Sequence, residues 1–265
     1  MRAAGVGFTK FRRAVQFRDL FCVLLMRDLK LLYKRSFLGF GWALILPITQ
    51  LFIYTFVFRR VLSIEIDKYP VYIFVGVLLF GWFQSTLSES GGLITGNKVL
   101  VTQPGFPLVV LPHIKAGVRF FHFLIALPVL LAMLLYFDLR PSLCWVALPV
   151  LMLIQYLLIV GISYPLASLN VRFRDTQHIV SIGLHLFMFL TPVFYSLDQV
   201  PKTFRGYFYL NPMVGILESW RQVLIHNVWP DITVMISLLA VAIIMVTFGR
   251  YLFVRQSHRF AEEIS

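Results

Sequence analysis

Residues 148–196 read LPVLMLIQYLLIVGISYPLASLNVRFRDTQHIVSIGLHLFMFLTPVFYS. Two long apolar runs flank one short charged break, Asn170-Val171-Arg172-Phe173-Arg174-Asp175. An apolar run of about 20 residues is long enough to cross the hydrocarbon core as a helix. Backbone groups inside a bilayer have no water to bond, so such runs are helices and the charged break between them is a turn in water. The two arginines place that turn on the inner side of the membrane.

The rest of the chain repeats the pattern. Its 265 residues are 59% hydrophobic and 14% charged, with mean hydropathy +0.81, whereas soluble domains carry roughly 25% charge. We read six spans at 38–58, 70–90, 116–137, 142–169, 177–197 and 231–253. The loops carry turn chemistry, as in Asp67-Lys68-Tyr69-Pro70, Asp138-Leu139-Arg140-Pro141 and Trp229-Pro230-Asp231. Of the 24 Lys and Arg, the outside segments hold only Arg59, Arg60, Lys68, Arg140, Lys202, Arg205 and Arg221, so both termini are expected in the cytoplasm. The net charge of +12 therefore reflects membrane orientation, and no nucleic-acid partner is expected.

Residues 1–37 form the expected cytoplasmic N-terminal segment. Within it Arg18, Asp19, Arg27, Asp28 and Lys30 rule out a span, while Phe17, Leu20, Phe21, Leu24 and Leu31 recur near helical spacing. This predicts an amphipathic helix in the cytoplasmic interface, serving either as an anchor or as a docking surface. Residues 38–253 form the membrane domain, and 254–265 a cytoplasmic tail. The outside segment 198–230 is unusually aromatic, and Asn211-Pro212 is a cap followed by a first-turn proline. Two readings fit: a pair of short half-inserted helices split at Asn211-Pro212, or an ordinary aromatic interface belt. The fold class is all-α integral membrane.

The chemistry that is missing narrows the function. Gly91-Gly92-Leu93-Ile94-Thr95-Gly96-Asn97-Lys98-Val99 is the nearest approach to a phosphate loop, but its lysine is one residue late and no Ser or Thr follows. No metal-spaced or catalytic motif occurs, so no catalytic residue and no metal site is expected. Cys22 and Cys144 have no metal or CxxC spacing, and a disulfide between them is not expected. The first 30 residues lack the apolar core of a cleaved signal, and no lipidation motif is present. No span carries Asp, Glu, Lys or Arg near its centre; Glu89 and Arg119 are placed at cytoplasmic ends. Ion-driven carriers place such groups at the midplane. His122 and His185 are the remaining candidates, read mainly as hydrogen-bonding a neighbouring helix. Such a protein is either a passive pore or the membrane half of a machine powered by another subunit.

Five motifs in order then carry a resemblance. Arg27-Asp28-Leu29-Lys30 with Tyr33-Lys34 leads into Leu38-Gly39-Phe40-Gly41-Trp42-Ala43; Asn97-Lys98-Val99-Leu100 precedes Phe106-Pro107 and Leu111-Pro112; the charged break is followed by Leu190-Thr191-Pro192-Val193-Phe194-Tyr195; and Val200-Pro201 precedes Leu210-Asn211-Pro212-Met213. Over nearly its whole length the chain resembles the ABC-2 family of polysaccharide and polyol-phosphate export permeases, the membrane subunits that move O-antigen, capsule or teichoic acid chains. Leu108 and Gln103-Pro104-Gly105 depart from the family's basic second loop.

The resemblance implies a homodimer in a bacterial cytoplasmic (inner) membrane. Two ATPase subunits would bind the ATP and Mg, with no cofactor in this chain, and the cargo would be a lipid-linked glycan or polymer. It implies ATPase coupling through Arg172, Phe173, Arg174 and Asp175 with Arg27, Asp28, Lys30 and Lys98; the plainer reading is that the two loop arginines only mark the inside face. It implies a channel lined by the first and fifth spans, for which Trp42, Gln50, Tyr54, Phe187, Phe194 and Tyr195 are the candidates, the phenylalanines being equally suited to face lipid. It implies an outer gate at Tyr207, Tyr209, Asn211, Pro212 and Trp220; Glu218 and Arg221, three residues apart on one helix, are spaced simply to pair with one another. A permease for a small amphiphile, a membrane-embedded polyprenyl-phosphate sugar transferase and a passive channel are the alternatives. The transferase needs clustered acids on one side, but Glu65, Asp67, Asp138, Asp198, Glu218 and Asp231 are scattered.

Overall fold

The computed structural model describes residues 3–34, 41–63 and 65–263, with side chains from Phe17 onward except those of Tyr33 and Ala261. Leu38-Gly39-Phe40, the start of the first span, the Tyr33 side chain and residues 264–265 thus lie outside the described part. The chain is a multi-pass bundle. Its helices are α1 (Ala3–Tyr33), α2 (Trp42–Thr55, continued by a wide π turn Phe56–Val61), α3 (Tyr69–Ser90), the short α4 (Lys98–Val101), α5 (Val110–Tyr136), α6 (Ala147–Arg172), α7 (Thr176–Phe189), α8 (Lys202–Phe208), α9 (Pro212–Leu224) and α10 (Ile232–Glu263). No strand occurs among the described residues.

Five helical stretches are long and apolar enough to cross a membrane: Trp42–Val61, Tyr69–Leu93, Val110–Tyr136, Leu143–Arg172 and Ile232–Phe260. The expected span at 177–197 is instead the 14-residue helix α7 followed by irregular backbone. At about 1.5 Å per residue, α7 is roughly 21 Å long. Pro192 accounts for the stop, because it has no N–H and disfavours helical geometry at the residue before it. The last helix does not stop at residue 253, since α10 runs on to Glu263.

Helix α3 is the centre of the molecule, with every residue from Val71 to Phe80 buried. Around it pack α2, α5, α6, α7 and α9. The most extensive helix pair is α6 with α10. They meet where Pro165 leaves the carbonyl of Gly161, four residues earlier, without its helical donor. A Cβ on Gly249 of α10 would lie 2.3 Å from that oxygen, and one on Gly161 would lie 2.7 Å from backbone atoms of Met245 and Val246. Small residues thus let two membrane helices touch backbone to backbone.

Helix α1 follows the first turns of α5. Phe17 sets its edge against His113 at 5.9 Å, and a Cβ on Gly117 would meet Leu25 at 2.9 Å and Phe21 at 3.2 Å. His113 in turn lies 3.0 Å from the Tyr156 hydroxyl and 3.1 Å from that of Tyr164, which ties α1, α5 and α6 together. Helix α5 begins at Val110, earlier than its apolar run suggests, so Lys115 and Arg119 lie in its second and third turns. Both face Glu89 of α3: Arg119 is hydrogen-bonded to its carboxylate, and Lys115 Nζ lies 3.9 Å away.

Candidate functional site

The charged break after α6 is held from beneath. Asn170 is buried, and its Oδ1 accepts a hydrogen bond from the Gln177 N–H at 3.1 Å. Phe173 N–H donates to Leu169 O, and the buried Thr176 hydroxyl donates to Phe173 O at 2.6 Å. Gln177 is keyed to the end of α3, where a Cβ on Gly91 would lie 2.8 Å from Gln177 Cβ. On this frame Arg172, Phe173, Arg174 and Asp175 all stand exposed. Arg172 Nε lies 4.0 Å from Glu263 Oε1 at the end of α10.

Beside this loop a groove of about 930 Å³ is lined by Arg27, Asp28, Glu89, Lys98 and Lys115, with Gln177 closing one side. Arg27 and Asp28 pair at 2.8 Å. The structure therefore brings Arg27, Asp28 and Lys98 to one groove, next to but distinct from the 172–175 loop. Lys30 is exposed and does not line it. Both features lie at the end of the bundle where α6 and α10 finish.

The six residues proposed for the channel separate into four places. Trp42 and Gln50 line a cleft of about 350 Å³ between α2, α3 and α5. Tyr54 sets its edge on Phe194 at 4.8 Å, and Phe194 stacks on Phe58 at 4.7 Å. Phe194 is 1% exposed, so it is a packing residue of this cluster and not a wall of open space. Phe187 is half-buried, 6.4 Å from Phe80. Tyr195 is half-buried, donates its hydroxyl to Phe189 O at 2.7 Å and meets Phe208 edge-on. His185, expected to bond a neighbouring helix, has Nδ1 2.6 Å from Ser181 O of its own helix.

At the opposite end of the bundle Tyr207 and Tyr209 are exposed. Asn211 caps α9: its Oδ1 accepts from Met213 N–H at 3.0 Å, and its Nδ2 donates to the Thr191 hydroxyl at 3.0 Å. Pro212 occupies the first turn, where its missing N–H costs nothing. Trp220 does not join the exposed tyrosines; it is 1% exposed and meets Phe123 of α5 edge-on.

A second polar cluster at this end includes the expected Glu218–Arg221 pair and goes beyond it. Arg221 is 1% exposed. Its Nη1 donates to Pro192 O at 2.7 Å and to Glu218 Oε1 at 3.0 Å, and its Nη2 donates to Val193 O at 3.1 Å. The guanidinium carbon sits 3.5 Å above the ring of Tyr72. Tyr69 and Tyr72, at the start of α3, donate their hydroxyls to Phe194 O and Tyr195 O, each at 2.9 Å. One signal for this was present in the sequence. On α9, Arg221 shares a face with Leu217 and Leu224, and a charge on an apolar face is buried and must be paired. Among the described residues, no three His, Cys, Asp or Glu side chains gather where a metal ion could be held.

With this geometry in place, comparison with known proteins gives a consistent result. The ABC-2 type transporter family matches residues 19–225. The chain is 33% identical over 255 residues to the O-antigen export system permease protein RfbA of Myxococcus xanthus, covering 96% of this chain and 98% of that protein. It is 31% identical over 245 residues to RfbA of Klebsiella pneumoniae, covering 92% and 94%. Similarity to the polysialic acid transport protein KpsM of Escherichia coli is 24% over 207 residues, covering 75% and 78%.

Proposed function

The chain belongs to the ABC-2 type transporter family, and on that premise we propose that it is the membrane permease subunit of an ABC exporter of polysaccharide. Its work is transport, and the energy comes from a separate ATPase partner that binds the ATP and Mg. The observation that carries the reading is the loop Arg172–Asp175. It is short, charged and exposed, yet it is anchored by the buried Asn170 and by Gln177. A loop that merely reversed the chain would need no such frame. A loop that receives a push needs one, and its exposed Arg and Asp side chains suit charge-assisted bonds to another protein.

The finer reading follows. The chain crosses a bacterial inner membrane six times with both termini in the cytoplasm; α7 with residues 190–196 makes the fifth crossing, and α8 and α9 form a half-inserted pair at the outer face. Two copies pair and each engages one ATPase, through the 172–175 loop and the groove holding Arg27, Asp28 and Lys98. The cargo is a lipid-linked glycan or polyol-phosphate chain. It passes between the two copies along α2 and α7, where Trp42, Gln50, Tyr54, Phe187 and Tyr195 are the candidate contacts, and leaves under Tyr207 and Tyr209.

The test is reconstitution with the ATPase partner, comparing the parent chain with Arg174→Ala plus Asp175→Ala. The expected result is an assembled complex that still hydrolyses ATP but loses polymer export. Full export in the double variant removes the loop from coupling. Solute conduction by the chain alone, with no ATPase bound, replaces the exporter with a passive pore.

A further inference from the structure

The backbone between α7 and the external helices is irregular, and it is held in an unusual way. Four consecutive carbonyls, those of Pro192, Val193, Phe194 and Tyr195, each accept a hydrogen bond from a side chain of α3 or α9. Non-helical backbone near membrane depth survives only where protein or enclosed water satisfies it, and here the donors are Arg221, Tyr69 and Tyr72. Arg suits this task because its planar fork offers parallel donors in fixed geometry, whereas Lys offers a point charge. The fit is close. A Cβ on Gly76 of α3 would lie 3.2 Å from both Arg221 Nη2 and Val193 O, so the helix and the held segment touch through a glycine.

We infer that Arg221, with Tyr69 and Tyr72, is the positioning group of the outer exit, fixing the 192–195 segment so that α8 and its exposed tyrosines stand in one place. The held segment leads directly to α8, and Tyr195 meets Phe208 of α8 edge-on at 6.4 Å. Thr191 is bonded to the cap of α9 through Asn211. The end of α7 and both external helices are therefore registered to α3 through this one set of bonds. Pairing with Glu218 compensates the buried charge, so the cluster carries no net charge in this geometry. The assignment rests on the reading of α8 and α9 as the outer gate, and the experiment separates the two.

Complexes with the ATPase partner are reconstituted without ATP into liposomes loaded with a small fluorescent dye, and passive leak is measured. The variants are Arg221→Lys, Tyr69→Phe plus Tyr72→Phe, and Tyr207→Ala plus Tyr209→Ala, which probes the gate itself. Gly249→Ala, which perturbs the remote α6–α10 crossing, controls for simple loss of stability. Several-fold faster leak in the first three, but not in Gly249→Ala, is expected. If Arg221→Lys does not reach the membrane, the double Phe variant carries the test, since it removes only two hydroxyls. Leak from the Tyr207/Tyr209 variant alone overturns the positioning role and leaves the gate standing. Tight vesicles for all three overturn both. Equal leak from Gly249→Ala reduces the cluster to ordinary stability.

Discussion

Replacing Gly249 by Ala adds one methyl group at the tightest point of the bundle. Its Cβ would lie 2.3 Å from Gly161 O, whereas ordinary contact begins at 3.4 Å, and the obstacle is backbone and not a side chain that can turn away. Helices α6 and α10 must therefore part by about 1 Å. A gap of 0.5–1 Å forfeits roughly a quarter to a half of the dispersion attraction across it. That loss matters more in a bilayer, where apolar burial does not drive helices together and packing does. Overpacking of this kind costs about 1–3 kcal/mol, and we expect the upper part of that range because the clash is with main chain. At roughly 2–4 °C per kcal/mol for a chain approaching this size, the Tm in detergent should fall by about 4–12 °C. Gly81→Ala is the matched control, since a Cβ there meets nothing within 4 Å; it should be neutral or stabilising by up to about 1 kcal/mol. Equal melting of parent and Gly249→Ala would refute the backbone-contact argument for this pair.

Other substitutions separate frame from surface. Asn170→Ala leaves the part-buried Gln177 N–H without its acceptor, and should cost about 1 kcal/mol by thermal melting, whereas Arg174→Ala should stay within about 0.5 kcal/mol in the same assay. Trp220→Ala should cost about 3–5 kcal/mol, as for a large core aromatic, and Tyr207→Ala about 0.5 kcal/mol or less; similar losses for the two would contradict the burial that divides them. Glu263→Ala removes a partly exposed 4.0 Å contact with Arg172, so it should change stability by less than about 1 kcal/mol, and any larger effect on ATPase co-purification would mark α10's end as part of the docking face.

What the sequence disclosed depended on what hydropathy can see. The 170–175 turn was legible because two arginines and an aspartate interrupt two apolar runs, and the frame under it was not, because Asn170 and Gln177 meet only once the chain turns. Residues 177–197 looked like one unbroken helix because their composition is apolar, but hydropathy does not register that Pro192 removes a backbone donor and ends the helix early. Arg119 looked terminal because His113 and Lys115 dilute the apolar count, although α5 starts at Val110. Arg221 was read only as the partner of Glu218. Glu218 three residues before it supplied a sufficient partner on paper, while the main demand on its guanidinium comes from carbonyls 28 and 29 residues away. Family likeness named the segments that matter, yet it could not divide Trp220 and Phe194, which pack inside, from Tyr207 and Tyr209, which do not.

The docking of α1 on α5 has a mechanical consequence. Phe17 bears on His113, and Phe21 and Leu25 bear on Gly117 one turn further along, so the two helices are meshed at successive teeth. A displacement of α1 along its axis must then carry the foot of α5 with it, or strip that mesh. Glu89 links this contact onward, through Arg119 and Lys115, to α3, whose far end carries Tyr69 and Tyr72. The α1 end of the bundle and the bonds at the opposite end are thus joined by contiguous contacts, with α3 running between them.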